Sequence, residues 1–519
     1  VGDDLSKRRT SEFPVPAFPD ADKYFAKVET LMKQKRKNQP APLAIIECVK
    51  AALESKDFRE GVNAEQLLFK TLIGSPEANA LQHIFFSERG AGKLPIKEKP
   101  AEVKEVGVIG AGTMGGGIAM CFADVGIKVI LIDREQQYLD RGMKVIANNY
   151  NRSVKRGSKT QAFVDRSLSL ISTAVDYSAL KNCDLVIEAV FEDMQLKKEI
   201  FEKLDAACKP GCILASNTSY LSIDEMAAAT KRPEKVMGMH FFSPANVMKL
   251  LENIQGAKTD NVTLVTCTSI GTRIGKWPVL SQNMNGFIGN RMLTFYSTEA
   301  GSMAMEGAMP AQIDKVATDF GMPMGPFAMS DLVGLDVGFQ ARKRKGLSDP
   351  KMNLKDALCE SGRLGMKNGK GYYDYKDGRT RVPSKLVDDL VVEISANNGY
   401  KRRSFTDQEI FERLFYPLIN EGFKVLEDGV ARQPSDIDVT YCHGYNWPRV
   451  TGGPMHYADV IGLKKIADIL TKYASTYPKA HYFAPASLLK ECVASNSSLS
   501  KFWAKNGNNY KFVPKTPRL

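Results

Sequence analysis

One stretch, Val103 to Asp133, narrows the choice of fold more than any other: VKEVGVIGAGTMGGGIAMCFADVGIKVILID. A β-branched run (Val106, Val108, Ile109) leads into Gly110-Ala111-Gly112-Thr113-Met114-Gly115, and an apolar, alanine-containing run follows. That order predicts a strand, a tight glycine turn and a helix. A second buried-type strand, Val129-Ile130-Leu131-Ile132, closes on Asp133, about twenty residues past Gly112.

Each residue type meets a physical demand. Gly110 permits the sharp turn, Gly112 lets backbone approach a pyrophosphate, and Gly115 lets the helix pack close to the strand. The helix N-terminus turns unpaired N–H groups and the positive end of its dipole towards the phosphates. Asp133 at the tip of the second strand can accept hydrogen bonds from an adenosine ribose and would repel a 2′-phosphate, which favours NAD over NADP. Arg134 beside it acts against that preference.

The remaining chain bounds the problem. Its 519 residues suffice for about three or four domains, and 43% hydrophobic with 25% charged residues is an ordinary globular composition. No apolar run reaches the ~18 residues of a membrane span. The net charge of +12 is scattered rather than gathered in one tract, so an acidic, phosphate-bearing small substrate explains it as well as nucleic acid does. Nine dispersed cysteines without a C-x-x-C pair read as reduced thiols of an intracellular protein, with no disulfide framework and no metal site. The first residue is not methionine, as in a fragment or a processed chain. Pro517-Arg518-Leu519 at the other end is a variant of the Ser-Lys-Leu peroxisomal address; its alternative is a plain terminus and cytoplasmic residence.

Taken in order, residues 1–100 read as a helical segment and linker: a basic helix ending near Lys37, two or three helices from Pro42 to Arg89, then a Gly/Pro/Lys-rich connection. Past Asp133 a basic amphipathic helix runs to Arg156, a solvated face or a contact for adenosine phosphates. The apolar run from Cys183 closes on Glu192. Acids and lysines at a strand's carboxyl end border the ligand crevice of an open α/β sheet, which makes Glu192 and Lys197 candidates for the nicotinamide-side ribose. Another strand, Cys212 to Ala215, ends in Ser216-Asn217-Thr218-Ser219. Of five histidines only His240 falls in the dinucleotide half. An imidazole can take a hydroxyl proton as hydride leaves, and Glu252 could hold its other nitrogen; the alternative is a core histidine packed among aromatics.

Asn217-Thr218-Ser219, His240-Phe241-Phe242-Ser243-Pro244, Lys249-Leu250-Leu251-Glu252 and Gly286-Phe287-Ile288-Gly289-Asn290-Arg291 occur together with Gly321-Met322-Pro323-Met324-Gly325-Pro326 and Lys367-Asn368-Gly369-Lys370-Gly371-Tyr372. In this order and spacing they resemble the L-3-hydroxyacyl-CoA dehydrogenases of fatty-acid β-oxidation, over about residues 100–519. The resemblance implies that His240 is the general base, that Glu252 is its partner, and that Ser219 and Asn290 hold substrate oxygens. It also implies that Glu192, Lys197 and Lys367 contact NAD and that Arg156 meets CoA. The family often has Asn where this chain has Ser243, which alters a cofactor-side hydrogen bond.

From Arg291 the chain reads as helical and repeats itself. Arg291, Glu299, Gly307, Ile313-Asp314, Gly325-Pro326, Asp331 and Gly334-Leu335 recur as Arg413, Glu421, Gly429, Ile437-Asp438, Gly453-Pro454, Asp459 and Gly462-Leu463. No second glycine fingerprint precedes the later copy, so it is expected to pack on the first rather than catalyse. Tandem copies resemble the peroxisomal bifunctional enzymes, and residues 1–100 resemble the end of their hydratase half.

The expected fold is therefore α/β: a Rossmann-type NAD-binding domain over 101–283, then helical copies over 284–384 and 385–519. The expected protein is a monomer that oxidises (S)-3-hydroxyacyl-CoA to 3-ketoacyl-CoA with NAD, with an internal pseudo-dimer of helical domains and no nucleic-acid or integral membrane partner. The N-terminal helices show no glycine-turned oxyanion loop, which predicts no hydration of 2-enoyl-CoA by this chain. The alternatives are the full bifunctional enzyme, or a hydroxy-acid dehydrogenase that joins a Rossmann domain to a helical one.

Overall fold

A computed structural model describes residues 9–344 and 346–510, and its sheet begins at the glycine stretch. Eight strands are ordered β3-β2-β1-β4-β5-β6-β7-β8: β1 (Glu105–Ile109), β2 (Lys128–Ile132), β3 (Ile171–Ala174), β4 (Leu185–Glu188), β5 (Ile213–Ser216), β6 (Val236–Phe241), β7 (Leu250–Gln255) and β8 (Trp277–Gln282). The pairs from β3 through β6 are all parallel. Within this sheet β6 and β7 pair antiparallel, and β8 follows β7 in parallel. Strands β4, β5 and β6 are buried along their whole length, which is why each reads as a near-continuous apolar run. One core fills each face of the sheet.

The chain winds outward from β1 to β2 and β3, then returns to β4 on the other side, so the crevice opens between β1 and β4 at their carboxyl ends. The segments that follow β1, β2, β4, β5 and β6 all emerge on that edge, and each of them carries a candidate residue.

Beyond the sheet, the helices Gly289–Glu306 and Asp407–Glu427 open the two copies of the repeat. They share one core, which runs from Met292 through Phe415 to Leu499. In each copy an aspartate caps the helix that follows Gly-Pro. Asp314 accepts from the N–H groups of Phe327 and Ala328, both at 2.9 Å, and Asp438 accepts from that of Met455 at 2.7 Å. The first copy also carries a two-stranded hairpin, β9 (Tyr373–Lys376) and β10 (Thr380–Pro383), whose Tyr373 hydroxyl donates to Asp314 at 2.8 Å. Helix Lys385–Asn397, past the 384 boundary, packs back on the first copy: Ser395 Oγ donates to the Met305 carbonyl at 2.6 Å.

The N-terminal segment forms Ala21–Lys35, then three helices over the expected stretch: Ala41–Glu54, Phe58–Leu72 and Pro76–Ala91. The last is bound to the second copy. His83 Nε2 lies 2.8 Å from Asp438, Glu88 pairs with His443 at 2.7 Å and with Arg449, and Arg432 donates to the Ala91 carbonyl at 3.0 Å. Among the described residues no helix is long and apolar enough to cross a membrane, and no cluster of three metal-ligating side chains occurs.

Candidate active site

At the adenosine end, Gly110 stands at φ +100°, and a Cβ there would lie 2.7 Å from the Ala189 carbonyl oxygen. A Cβ on Gly115 would lie 1.8 Å from the Gly110 carbonyl oxygen. Gly112 has open space where its Cβ would project and caps helix Thr113–Asp124 in extended backbone. The outer glycines thus serve packing, while the middle one leaves room beside the helix N–H groups, as a pyrophosphate requires. Asp133 follows β2, and its two carboxylate oxygens accept from the N–H groups of Ala111 and Arg134, each at 2.8 Å. The glycine loop itself therefore aims this acid.

Next along the edge is a buried charge network. Glu188, the last residue of β4, takes Lys197 Nζ at 2.6 Å and the Val190 N–H at 2.7 Å on one oxygen, and Ser216 Oγ at 2.6 Å on the other. Lys197 and Glu188 are almost fully buried, a state that charges tolerate when paired and hydrogen-bonded. Lys197 Nζ also stands 3.5 Å from Glu192. Glu192 Oε1 in turn accepts from Thr218 Oγ1 at 2.5 Å and from the Ser219 and Tyr220 N–H groups at 2.9 and 3.2 Å. Glu192 and Lys197 thereby support the loop that presents Ser219.

The histidine and its acid come together through strand register. Antiparallel pairing sets His240 directly opposite Glu252, with both side chains on one face. His240 Nδ1 lies 2.8 Å from Glu252 Oε2, and the Gly289 N–H donates to Oε1 at 3.1 Å. With Nδ1 donating to the carboxylate, Nε2 is the basic nitrogen, and it faces Ser219 Oγ at 3.3 Å. Phe242 and Phe287 flank the imidazole, with ring centroids at 4.5 and 5.8 Å. Asn290, in the first turn of its helix, donates from Nδ2 to the Ser219 carbonyl at 3.4 Å.

Ser219, His240, Glu252 and Asn290 thus form one cluster, with Glu192 and Lys197 adjoining it. Three expected residues stand apart from this network. Ser243 is exposed just past β6, Arg156 is exposed at the end of helix Gln136–Lys155, and Lys367 pairs with Asp336 within the first helical copy. Sequence reasoning missed Glu188, Phe287 and Tyr445. Glu188 carried a signal, an acid ending an apolar strand, whereas Tyr445 sits 155 positions from its partner Asn290 with nothing local to mark it.

A glycine turn at the switch point of a parallel sheet, beside a histidine–carboxylate pair that faces a serine, defines a dinucleotide-dependent oxidoreductase with a helical second half. The chain belongs to the 3-hydroxyacyl-CoA dehydrogenase family. The family's NAD binding domain matches residues 105–284, and its C-terminal domain matches twice, over 286–375 and 410–502, once for each copy of the repeat. The peroxisomal bifunctional enzyme of Danio rerio is 42% identical over 98% of this chain and 73% of its own length. Among solved structures, the dehydrogenase part of multifunctional enzyme 1 from C. elegans has 32% identity and a TM-score of 0.59, covering 79% of this chain and 96% of that one. For 3-hydroxybutyryl-CoA dehydrogenase from Escherichia coli the values are 28% and 0.65, covering 78% of this chain and 100% of that one.

Proposed function

We propose that the chain oxidises an (S)-3-hydroxyacyl-CoA reversibly to the 3-ketoacyl-CoA, with His240 as general base. The observation that carries this reading is the His240–Glu252 pair at 2.8 Å, with Nε2 turned to Ser219 Oγ. NAD supplies the hydride acceptor. Gly110, Gly112, Gly115 and Asp133 would hold its adenosine side, Glu192 and Lys197 would serve the nicotinamide-side ribose, and Ser219, Ser243 and Lys367 would be further contacts to it. Nε2 takes the C3 hydroxyl proton, and the buried Glu252 carboxylate stabilises the imidazolium that forms, because charges attract strongly where water is excluded. Ser219 Oγ shares the hydroxyl oxygen with Nε2 and orients it, while Asn290 Nδ2 donates to the substrate carbonyl. Arg156 would meet the phosphates of CoA.

Mixing the chain with NAD and 3-hydroxyacyl-CoA of short and long acyl chains should raise NADH absorbance, with no rise from the free 3-hydroxy acids. Absence of NADH from every thioester refutes the reading, and turnover of the free acid at a similar rate favours the hydroxy-acid dehydrogenase alternative. We further propose peroxisomal residence, supported by relatives named as peroxisomal. Pro517-Arg518-Leu519 would be the address and lies outside the described residues. A reporter bearing this tail should be punctate and its three-residue deletion diffuse; diffuse signal from both would exclude the address.

A further inference from the structure

The second helical copy reaches into the cluster at Asn290. Tyr445, just past helix Pro434–Gly444, donates its hydroxyl to Asn290 Oδ1 at 2.8 Å. The amide's orientation follows from its other neighbour. The Ser219 carbonyl oxygen can only accept, so Nδ2 faces it, and Oδ1 faces the phenol. Resting on the function given above, we propose that Tyr445 is a positioning residue for the oxidation: its hydroxyl holds the Asn290 amide with Nδ2 towards the substrate oxygens, so the second copy completes the active site.

Four features support this role. A Cβ on Gly289 would lie 2.3 Å from Tyr445 Cε2 and 2.4 Å from its hydroxyl oxygen, so the bare backbone at 289 is what admits the ring. The ring stacks on Tyr441 at 4.8 Å and meets Phe242 edge-on at 5.4 Å, which fixes its direction. Tyr441, one turn earlier, donates to the Gly289 carbonyl at 3.0 Å, so two tyrosines of the second copy grip the first turn that carries Asn290. Burial, and then the nearby Glu252 charge, push the Tyr445 phenol well above the usual tyrosine range, and the hydroxyl stays a donor. Without that donor the amide keeps only the longer, 3.4 Å bond to the Ser219 carbonyl and turns over more readily, presenting Oδ1 to a substrate carbonyl, where two acceptors repel.

The test is a double-mutant cycle in the full chain. Tyr445→Phe keeps the ring stack and removes only the hydroxyl. In the parent background it should lower kcat for 3-hydroxyacyl-CoA oxidation about tenfold, the scale of one lost hydrogen bond, without changing KM for NAD. In an Asn290→Ala background the same substitution should cost nothing further. Parental kcat for Tyr445→Phe, or an equal loss in both backgrounds, overturns the proposal. A parent chain that makes no NADH removes the function and this role together, whereas an active parent indifferent to Tyr445→Phe removes this role alone.

Discussion

His240 and Glu252 face each other because β7 runs against β6 while the strands from β3 to β6 run together. A glutamine at 240 could still donate to Glu252 but could accept no proton. His240→Gln should therefore cut turnover about 10²–10⁴-fold with NAD affinity little changed, as steady-state kinetics and NAD titration would reveal; a near-parental rate would return His240 to the core. Asp133 is held by the Ala111 N–H, which a serine hydroxyl can also meet. Asp133→Ser removes the charge that repels a 2′-phosphate, so the ratio of kcat/KM for NAD to that for NADP should fall. An unchanged ratio would show that Asp133 does not face the ribose.

Helices Gly289–Glu306 and Asp407–Glu427 exchange ion pairs reciprocally. Arg291 binds Glu421 at 2.6 Å and Asp428 at 2.8 Å, and its counterpart Arg413 binds Glu299 at 2.5 Å and Glu306 at 2.7 Å. Corresponding residues swap partners, as they do across a twofold dimer interface, so the two copies meet as a pseudo-dimer within one chain. The copies differ in what covers the capping aspartate: Tyr373 of the hairpin reaches Asp314, whereas His83 of the N-terminal helix reaches Asp438. Burial also differs between the arginines, with 1% of the Arg413 side chain exposed against 16% of Arg291. Removing Arg413 leaves the buried Glu299 carboxylate without a cation and takes one from the half-buried Glu306, so Arg413→Ala should destabilise the fold by about 3–5 kcal/mol. Arg291→Ala should cost less, because Asp428 reaches water. Urea unfolding compares them, and equal losses would contradict this account.

At the scale of the molecule, a single core joins both copies, and Ile84 and Ala91 of the N-terminal helix belong to it. The face of helix Gly289–Glu306 that carries Arg291 and Glu299 is covered by the second copy. The chain should therefore sediment as a monomer of 57.3 kDa; a stable dimer at micromolar concentration would mean that another face associates. The same arrangement makes the second copy part of the site, through Tyr445 and Asn290, and not only a support.

What the sequence by itself determined lies within short reach along the chain. Gly110, Gly112, Gly115 and Asp133 are legible because one turn, one helix and one strand relate them, and backbone sterics impose that spacing on any chain. The repeat is legible because buried aspartates, Gly-Pro helix starts and interface arginines recur with the same local tasks. His240 and Glu252 were nameable from their residue types and from the motifs that carry the family resemblance, yet their opposition needed the β6–β7 register, since a slip of one residue would turn their side chains to opposite faces. Tertiary structure alone decided the rest: that Glu188 joins Lys197 to Ser216, that Lys367 pairs with Asp336, that His83 reaches Asp438, and that Tyr445 reaches Asn290. These contacts depend on how whole elements dock. Docking is set by the summed burial of many side chains on several helices and strands, a quantity that no local spacing in the chain encodes.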